Sequence, residues 1–131
     1  MRIELLLLGA TLILALVQIL LAGHLRTRQY GTKWNMGARD AEMPPLDPLP
    51  ARMLRAQQNL FETLPLFIGA VLAAGMAGRF GMKTAIGAHL YFWGRLIYVP
   101  LYAAGIPVVR TLVWVGATLG LVLVIAGLLF G

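Results

Sequence analysis

Apolar and polar positions in this chain segregate on the scale of whole helices. Four long apolar runs are separated by three polar connections. Residues 5–23 are broken only by Thr11 and Gln18, and residues 60–77 by Glu62, Thr63 and Pro65. Residues 84–106 carry the single charge of Arg95, and residues 112–130 carry none. A hydrocarbon core about 30 Å thick is crossed by ~20 helical residues, so each run is long enough to span it. In lipid every backbone N–H and C=O must find its partner within the segment, which makes such runs helices; the dyad alternation of barrel strands is absent. The pattern predicts helices at about 3–25, 53–78, 83–106 and 110–130, with a polar connection at about 26–52. Pro44, Pro45, Pro48 and Pro50 predict that this connection is extended and stiff. No internal repeat is visible, and the expected fold is a single all-α integral membrane domain over residues 1–131, a bundle of four transmembrane helices.

Composition sharpens this reading. A hydrophobic share of 60% with 12% charged residues lies far from the soluble balance. The first run exceeds the apolar core of a secretory signal, and only Arg2 precedes it with Glu4 alongside, so it is read as a retained helix. Cysteine is absent, which excludes disulfides and thiolate metal sites. The net charge of +6 is unevenly placed. Arg26, Arg28, Lys33, Arg39, Arg52 and Arg55 lie in or beside the first connection and Arg110 in the third, against Arg2, Arg79 and Lys83 on the other side. The positive-inside rule then places the first and third connections in the cytoplasm and both termini outside. Basic residues gathered at helix ends suit anionic lipid; no basic and aromatic groove supports nucleic-acid binding.

The polar interruptions carry the chemistry. In RMLRAQQNLFE, residues 52–62, Arg55, Asn59 and Glu62 fall at i, i+4 and i+7 on one helical face, with Gln58 beside them. On the third predicted helix Arg95, Tyr98 and Tyr102 form a second stripe at i, i+3 and i+7. An ionised side chain turned to lipid at midplane costs at least ~2.5 kcal/mol, so the two stripes are expected to face each other or a cavity. The simplest such arrangement is a Glu62–Arg95 ion pair that holds the bundle, with the tyrosines at the membrane interface. It leaves Arg55, Asn59 and Arg110 without a role. Pro65 frees the carbonyl of Phe61 and is expected to kink its helix above the polar stretch.

RAQQNLFETLPLFIGAVLAA resembles the signature segment of the MAPEG family, the membrane-associated proteins in eicosanoid and glutathione metabolism. The resemblance runs the length of the chain: HLRTR ending the first helix, the R-A-Q-x-N-x-x-E-x-x-P-L-F core, G-R-L-x-Y-x-x-x-Y, and an arginine opening the last helix occur in the family's order. It implies a homotrimer that binds glutathione between neighbouring subunits on the cytoplasmic side. By the same resemblance Arg55, Gln57, Asn59 and Glu62 on the second helix, and Tyr98 and Tyr102 on the third, are glutathione-binding positions. Arg110 matches the arginine credited with activating the thiol, and Arg26 matches a basic residue ending the first helix and is the second candidate for that role. Gln58 and Thr63 depart from the pattern, standing where some members have a basic and an aromatic residue. The activity implied is a glutathione-dependent transferase or peroxidase acting on a hydrophobic electrophile. The alternative is a non-catalytic membrane protein of the same fold, serving in binding, transport or as an accessory subunit. A proton-coupled carrier would want a lone carboxylate deep in the bundle, whereas Glu62 lies near an Arg/Asn pair at the membrane edge.

The remaining polar positions have plainer readings. His24 and His89 lie on different helices with no carboxylate at ligand spacing, so they are expected to be hydrogen-bonded interface residues and no metal site is expected. Gly116 and Gly120 form a GxxxG that would permit close helix contact. Trp34, Trp93 and Trp114 are read as interfacial anchors.

Overall fold

The computed structural model describes residues 2–131, and it contains five helices and no strand among them. In chain order they are α1 (Ile3–Tyr30), the short α2 (Thr32–Met36), α3 (Pro48–Met76), α4 (Met82–Ala103) and α5 (Pro107–Phe130). The four long helices form an up-and-down bundle in which α3 packs on α1, α4 and α5, and α4 packs on α1 and α5. Of these, α1, α3 and α5 are long and apolar enough to cross a membrane. Lys83, His89, Arg95 and three tyrosines make α4 more polar than the other three.

Helix ends differ from the sequence expectation for identifiable reasons. The first helix runs past residue 25 to Tyr30 because HLRTRQY contains no breaker; it stops at Gly31, whose φ of 96° suits glycine, with the Gly31 N–H bonded to the Thr27 carbonyl at 2.8 Å. The third helix begins at Pro48 rather than residue 53. Pro48 and Pro50 therefore sit in its first turn, where N–H groups have no intrahelical partner and proline's fixed φ is already helical. The last helix likewise opens at Pro107 rather than residue 110, and α4 ends at Ala103, short of residue 106. Gly105, at φ 73°, turns the chain between them against the Arg52 guanidinium, whose Nη1 donates to the Ala103 carbonyl at 3.4 Å.

The first connection is only partly extended. It contains α2, and its proline segment is held against the end of α1: Gln29 Nε2 donates to the Pro45 carbonyl at 3.1 Å, Tyr30 Oη to the Pro44 carbonyl, and the Asp47 N–H to Gln29 Oε1 at 2.7 Å. These bonds place the start of α3 beside the end of α1.

The core is a continuous apolar cluster drawn from all four long helices, including Leu7, Leu8 and Ala15 of α1, Leu60, Leu64, Phe67 and Val71 of α3, Ala88 and Tyr91 of α4, and Leu121 and Val124 of α5. The Phe67 and Tyr91 rings stack with centroids 4.1 Å apart. The closest helix pair is α4 and α5, where small residues let the backbones approach: a Cβ on Gly120 would lie 2.6 Å from the Gly87 carbonyl, and one on Gly94 would lie 2.8 Å from Ala117 Cβ. Gly116 has open space around its Cα, so only Gly120 of the GxxxG pair serves close packing. Outward positions such as Leu12, Ile13, Leu20, Leu112, Leu119 and Val122 remain exposed apolar surface, as a lipid-facing shell requires.

Candidate functional site

The two polar stripes converge where the third and fourth turns of α3 meet the end of α4 and the start of α5. Tyr102 is the hub. Arg55 Nε donates to Tyr102 Oη at 3.2 Å, and the Arg55 guanidinium carbon lies 5.8 Å from the ring centroid. The Arg110 guanidinium lies over the same ring at 4.5 Å. Tyr98 packs edge-on to Tyr102 with centroids 5.5 Å apart, and Arg95 lies over Tyr98 at 4.6 Å. One turn deeper, Arg95 Nη1 donates to Asn59 Oδ1 at 2.9 Å. Arg55, Asn59, Arg95, Tyr98, Tyr102 and Arg110 thus form one connected group within a single chain.

Local structure explains why these side chains meet. The i, i+4 spacing of Arg55 and Asn59 puts both on the α4-facing side of α3, while the i, i+7 spacing of Arg95 and Tyr102 brings α4's polar stripe back every two turns. Pro107 starts α5 early enough that Arg110 falls in its first turn, beside the Tyr102 ring. A cation at a helix N-terminus opposes the helix dipole. Its placement there is compensated by the ring faces and leaves the charge available to an anion.

Electrostatically the group is a net-cationic basin, with three arginines and no carboxylate within ion-pair distance of them among the described residues. Among the described residues the one ion pair within 4.0 Å joins Arg2 and Glu4, at the opposite end of the bundle. Glu62 is exposed and forms no such pair with Arg95 among the described residues. The expected Glu62–Arg95 bridge is therefore not what joins α3 to α4; Asn59 takes Arg95's Nη1, and Glu62 keeps a free carboxylate near the basin's edge. Gln57 is half-buried and Gln58 exposed. Thr63 turns into the bundle, its hydroxyl 2.8 Å from Tyr91 Oη.

Arg26 is not part of this group. Its guanidinium lies 5.6 Å from the Trp34 ring, and Arg39, at φ 62°, reaches the same ring at 5.0 Å while donating to Asn35. Trp34 is therefore clasped by two arginines at the head of the first connection. His89 accepts a hydrogen bond at Nδ1 from Trp93 Nε1 at 3.2 Å.

Three polar residues on α1 stand out in the sequence only as interruptions of an apolar run, with no role attached to them. Glu4, Thr11 and Gln18 recur every seven residues and are 0%, 0% and 1% exposed. Glu4 accepts a 2.5 Å hydrogen bond from the Thr84 hydroxyl, which in turn accepts the Gly81 N–H at 2.8 Å. The seven-residue spacing was the available signal, since it keeps all three on one face of a helix.

Over residues 7–130 the chain matches a family model described as MAPEG family. No curated protein and no solved structure matches it.

Proposed function

The chain belongs to the MAPEG family, and from that premise we propose that it is a glutathione-dependent transferase or peroxidase that activates the glutathione thiol for attack on a hydrophobic electrophile in the membrane. The observation that carries the reading is the convergence of Arg55, Arg95 and Arg110 on the Tyr98/Tyr102 pair with no carboxylate paired to them among the described residues. Three cations with only Glu62 nearby leave an excess positive charge that calls for an anion, and glutathione brings two carboxylates.

The division of labour follows from position. Arg55, near the exposed mouth, takes a glutathione carboxylate through charge-assisted hydrogen bonds. Asn59 is held by Arg95 with its carbonyl oxygen engaged, so its amide N–H groups face the peptide. Glu62, the free carboxylate at the edge, takes the ammonium, and Gln57 and the tyrosine hydroxyls offer neutral contacts. Arg110 supplies the fixed positive charge that favours thiolate over thiol. The thiol proton passes to water at the cytoplasmic mouth, and the thiolate sulfur then bonds to the electrophilic carbon as that carbon's bond to its leaving group breaks and the leaving group departs with the electron pair.

One chain leaves Arg55 and Glu62 of this group exposed, and members of the family are commonly oligomeric. The reading is a homotrimer in which a neighbouring copy closes each site; Arg26, which points to Trp34 within its own chain, contributes from that neighbour. All four long helices cross the bilayer in this arrangement, because α4 is packed along α5 from Thr84 against Gly127 to Gly94 against Ala117 and so shares its depth. The first and third connections lie in the cytoplasm with the glutathione pool, and the termini outside.

Calorimetric titration of the detergent-solubilised protein with reduced glutathione tests the reading. Saturable binding that is weakened by Arg55→Ala is the expected result. Absence of heat at millimolar glutathione overturns it.

A further inference from the structure

The buried end of α1's polar seam points to a positioning residue. Gln18 is 1% exposed and neither Oε1 nor Nε2 has a partner among the described residues; Arg95 is 2% exposed, and while its Nη1 serves Asn59, its Nε has none among them. A buried amide with both ends free is unusual, since buried polar side chains are nearly always hydrogen-bonded. In wholly apolar surroundings a leucine would be the lower-cost residue here. The retained amide implies a polar neighbour.

The Glu4–Thr84 hydrogen bond fixes the relative level of α1 and α4, which run in the same direction and pack together. From that bond, Gln18 lies 14 residues along α1 and Arg95 11 residues along α4, or about 21 and 16 Å at the helical rise. The two side chains thus lie at depths within about one helical turn of each other on helices that pack together. No direct bond joins them, and a molecule that both donates and accepts satisfies an amide oxygen, an amide N–H and a guanidinium N–H together. Buried water does this in globular interiors.

We infer that Gln18 is a positioning residue for the glutathione site, acting through buried water on Arg95, and through Arg95 on Asn59. The inference deepens the proposed function and rests on it for its catalytic consequence, but the Gln18–Arg95 coupling itself does not. Fixing Arg95 from the α1 side holds its Nη1 toward Asn59 and so keeps the Asn59 amide turned to the peptide.

A double-mutant cycle on thermal unfolding in detergent reads the coupling without glutathione. Gln18→Leu strands the Arg95 Nε, and Arg95→Met strands the amide, so each lowers the midpoint; the double variant should lose clearly less than the two losses combined. Gln18→Glu, which can pair with Arg95 directly, should keep at least the wild-type midpoint. Additive losses, or a fall in Gln18→Glu as large as in Gln18→Leu, would falsify the coupling. In turnover, Gln18→Leu should raise the glutathione KM by roughly five-fold, the scale of one coupled contact, with kcat unchanged, and Gln18→Glu should restore it. An unchanged KM alongside a coupled midpoint removes the positioning role. If the wild type does not bind glutathione, the proposed function falls while the unfolding cycle still decides whether Gln18 and Arg95 are joined.

Discussion

Tyr102 shows how one side chain organises the site. Two guanidinium groups share its ring, each cation–π contact worth ~0.5 to 2 kcal/mol depending on desolvation, and its hydroxyl accepts from Arg55. The ring thereby holds two like charges near each other in the absence of ligand, and an arriving anion relieves their repulsion. The sharpest consequence concerns Arg110. A free thiol titrates at ~8.5, and on the proposed reading a fixed cation beside the bound sulfur would lower that value and leave thiolate present at neutral pH. Without the arginine the thiol stays protonated until higher pH. Arg110→Ala is therefore expected to keep most glutathione affinity, lose turnover at pH 7 and recover part of it as pH rises. Following turnover with an aromatic electrophile and thiolate absorbance across pH checks this; a profile superimposable on wild type in a variant that still binds removes Arg110 from the role. Glu62 gives a second test at this scale. As the free carboxylate at the mouth it should hold the ammonium, so Glu62→Gln is expected to weaken binding by roughly 1.5 to 3 kcal/mol, the value of a hydrogen bond to a charged group, measured by titration.

At the scale of elements, the α4–α5 seam positions Arg110 against Tyr102. Backbones this close leave no room for side chains at Gly87, Gly94 and Gly120. Gly120→Val would set its branches against the Gly87 carbonyl, Leu90 Cβ and the Tyr91 N–H, all within 2.8 Å of the added Cβ. Overpacking of this kind costs about 1 to 3 kcal/mol. The variant should unfold at lower temperature and lose turnover as α5 is pushed from α4. Gly116→Ala on the same helix meets nothing within 4 Å and should leave the midpoint unchanged or slightly raised. Thermal unfolding of the pair in detergent checks the contrast, and equal losses would mean that the seam does not decide α5's position.

For the whole molecule, the predictions concern assembly and orientation. Arg55 and Glu62 stay exposed in a single bundle, so on the proposed reading native mass spectrometry in mild detergent is expected to show a trimer, and a stable monomer that binds glutathione fully would remove the shared-site arrangement. The charge asymmetry predicts that a cysteine placed at Arg39 is shielded from an impermeant thiol reagent in intact cells, while one at Gly131 is labelled. The reverse pattern would invert the topology.

Much of this was fixed by local physics that a sequence displays directly. The apolar runs dictate long helices, because lipid leaves the backbone no other partner. The i, i+4 and i, i+7 spacings put Arg55 with Asn59 and Arg95 with Tyr102, since side-chain direction on a helix follows from residue number. Helix ends were less legible: Pro48, Pro50 and Pro107 read as breakers in one context and as first-turn residues in another, and the choice depends on whether the following turn finds something to pack against. What the tertiary structure alone decided is pairing between helices. Sequence spacing allowed Arg95 to meet Glu62 or Asn59, and the rotation of α3 against α4 selected Asn59. The family resemblance offered Arg110 first and Arg26 second for the thiol, and chain packing placed Arg110 on Tyr102 and Arg26 on Trp34. Glu4, Thr11 and Gln18 looked like minor interruptions of a greasy helix until packing turned their common face inward. A helix's pattern states which residues share a face; which neighbour that face meets, and at what depth, depends on the close approach of all four long helices at once.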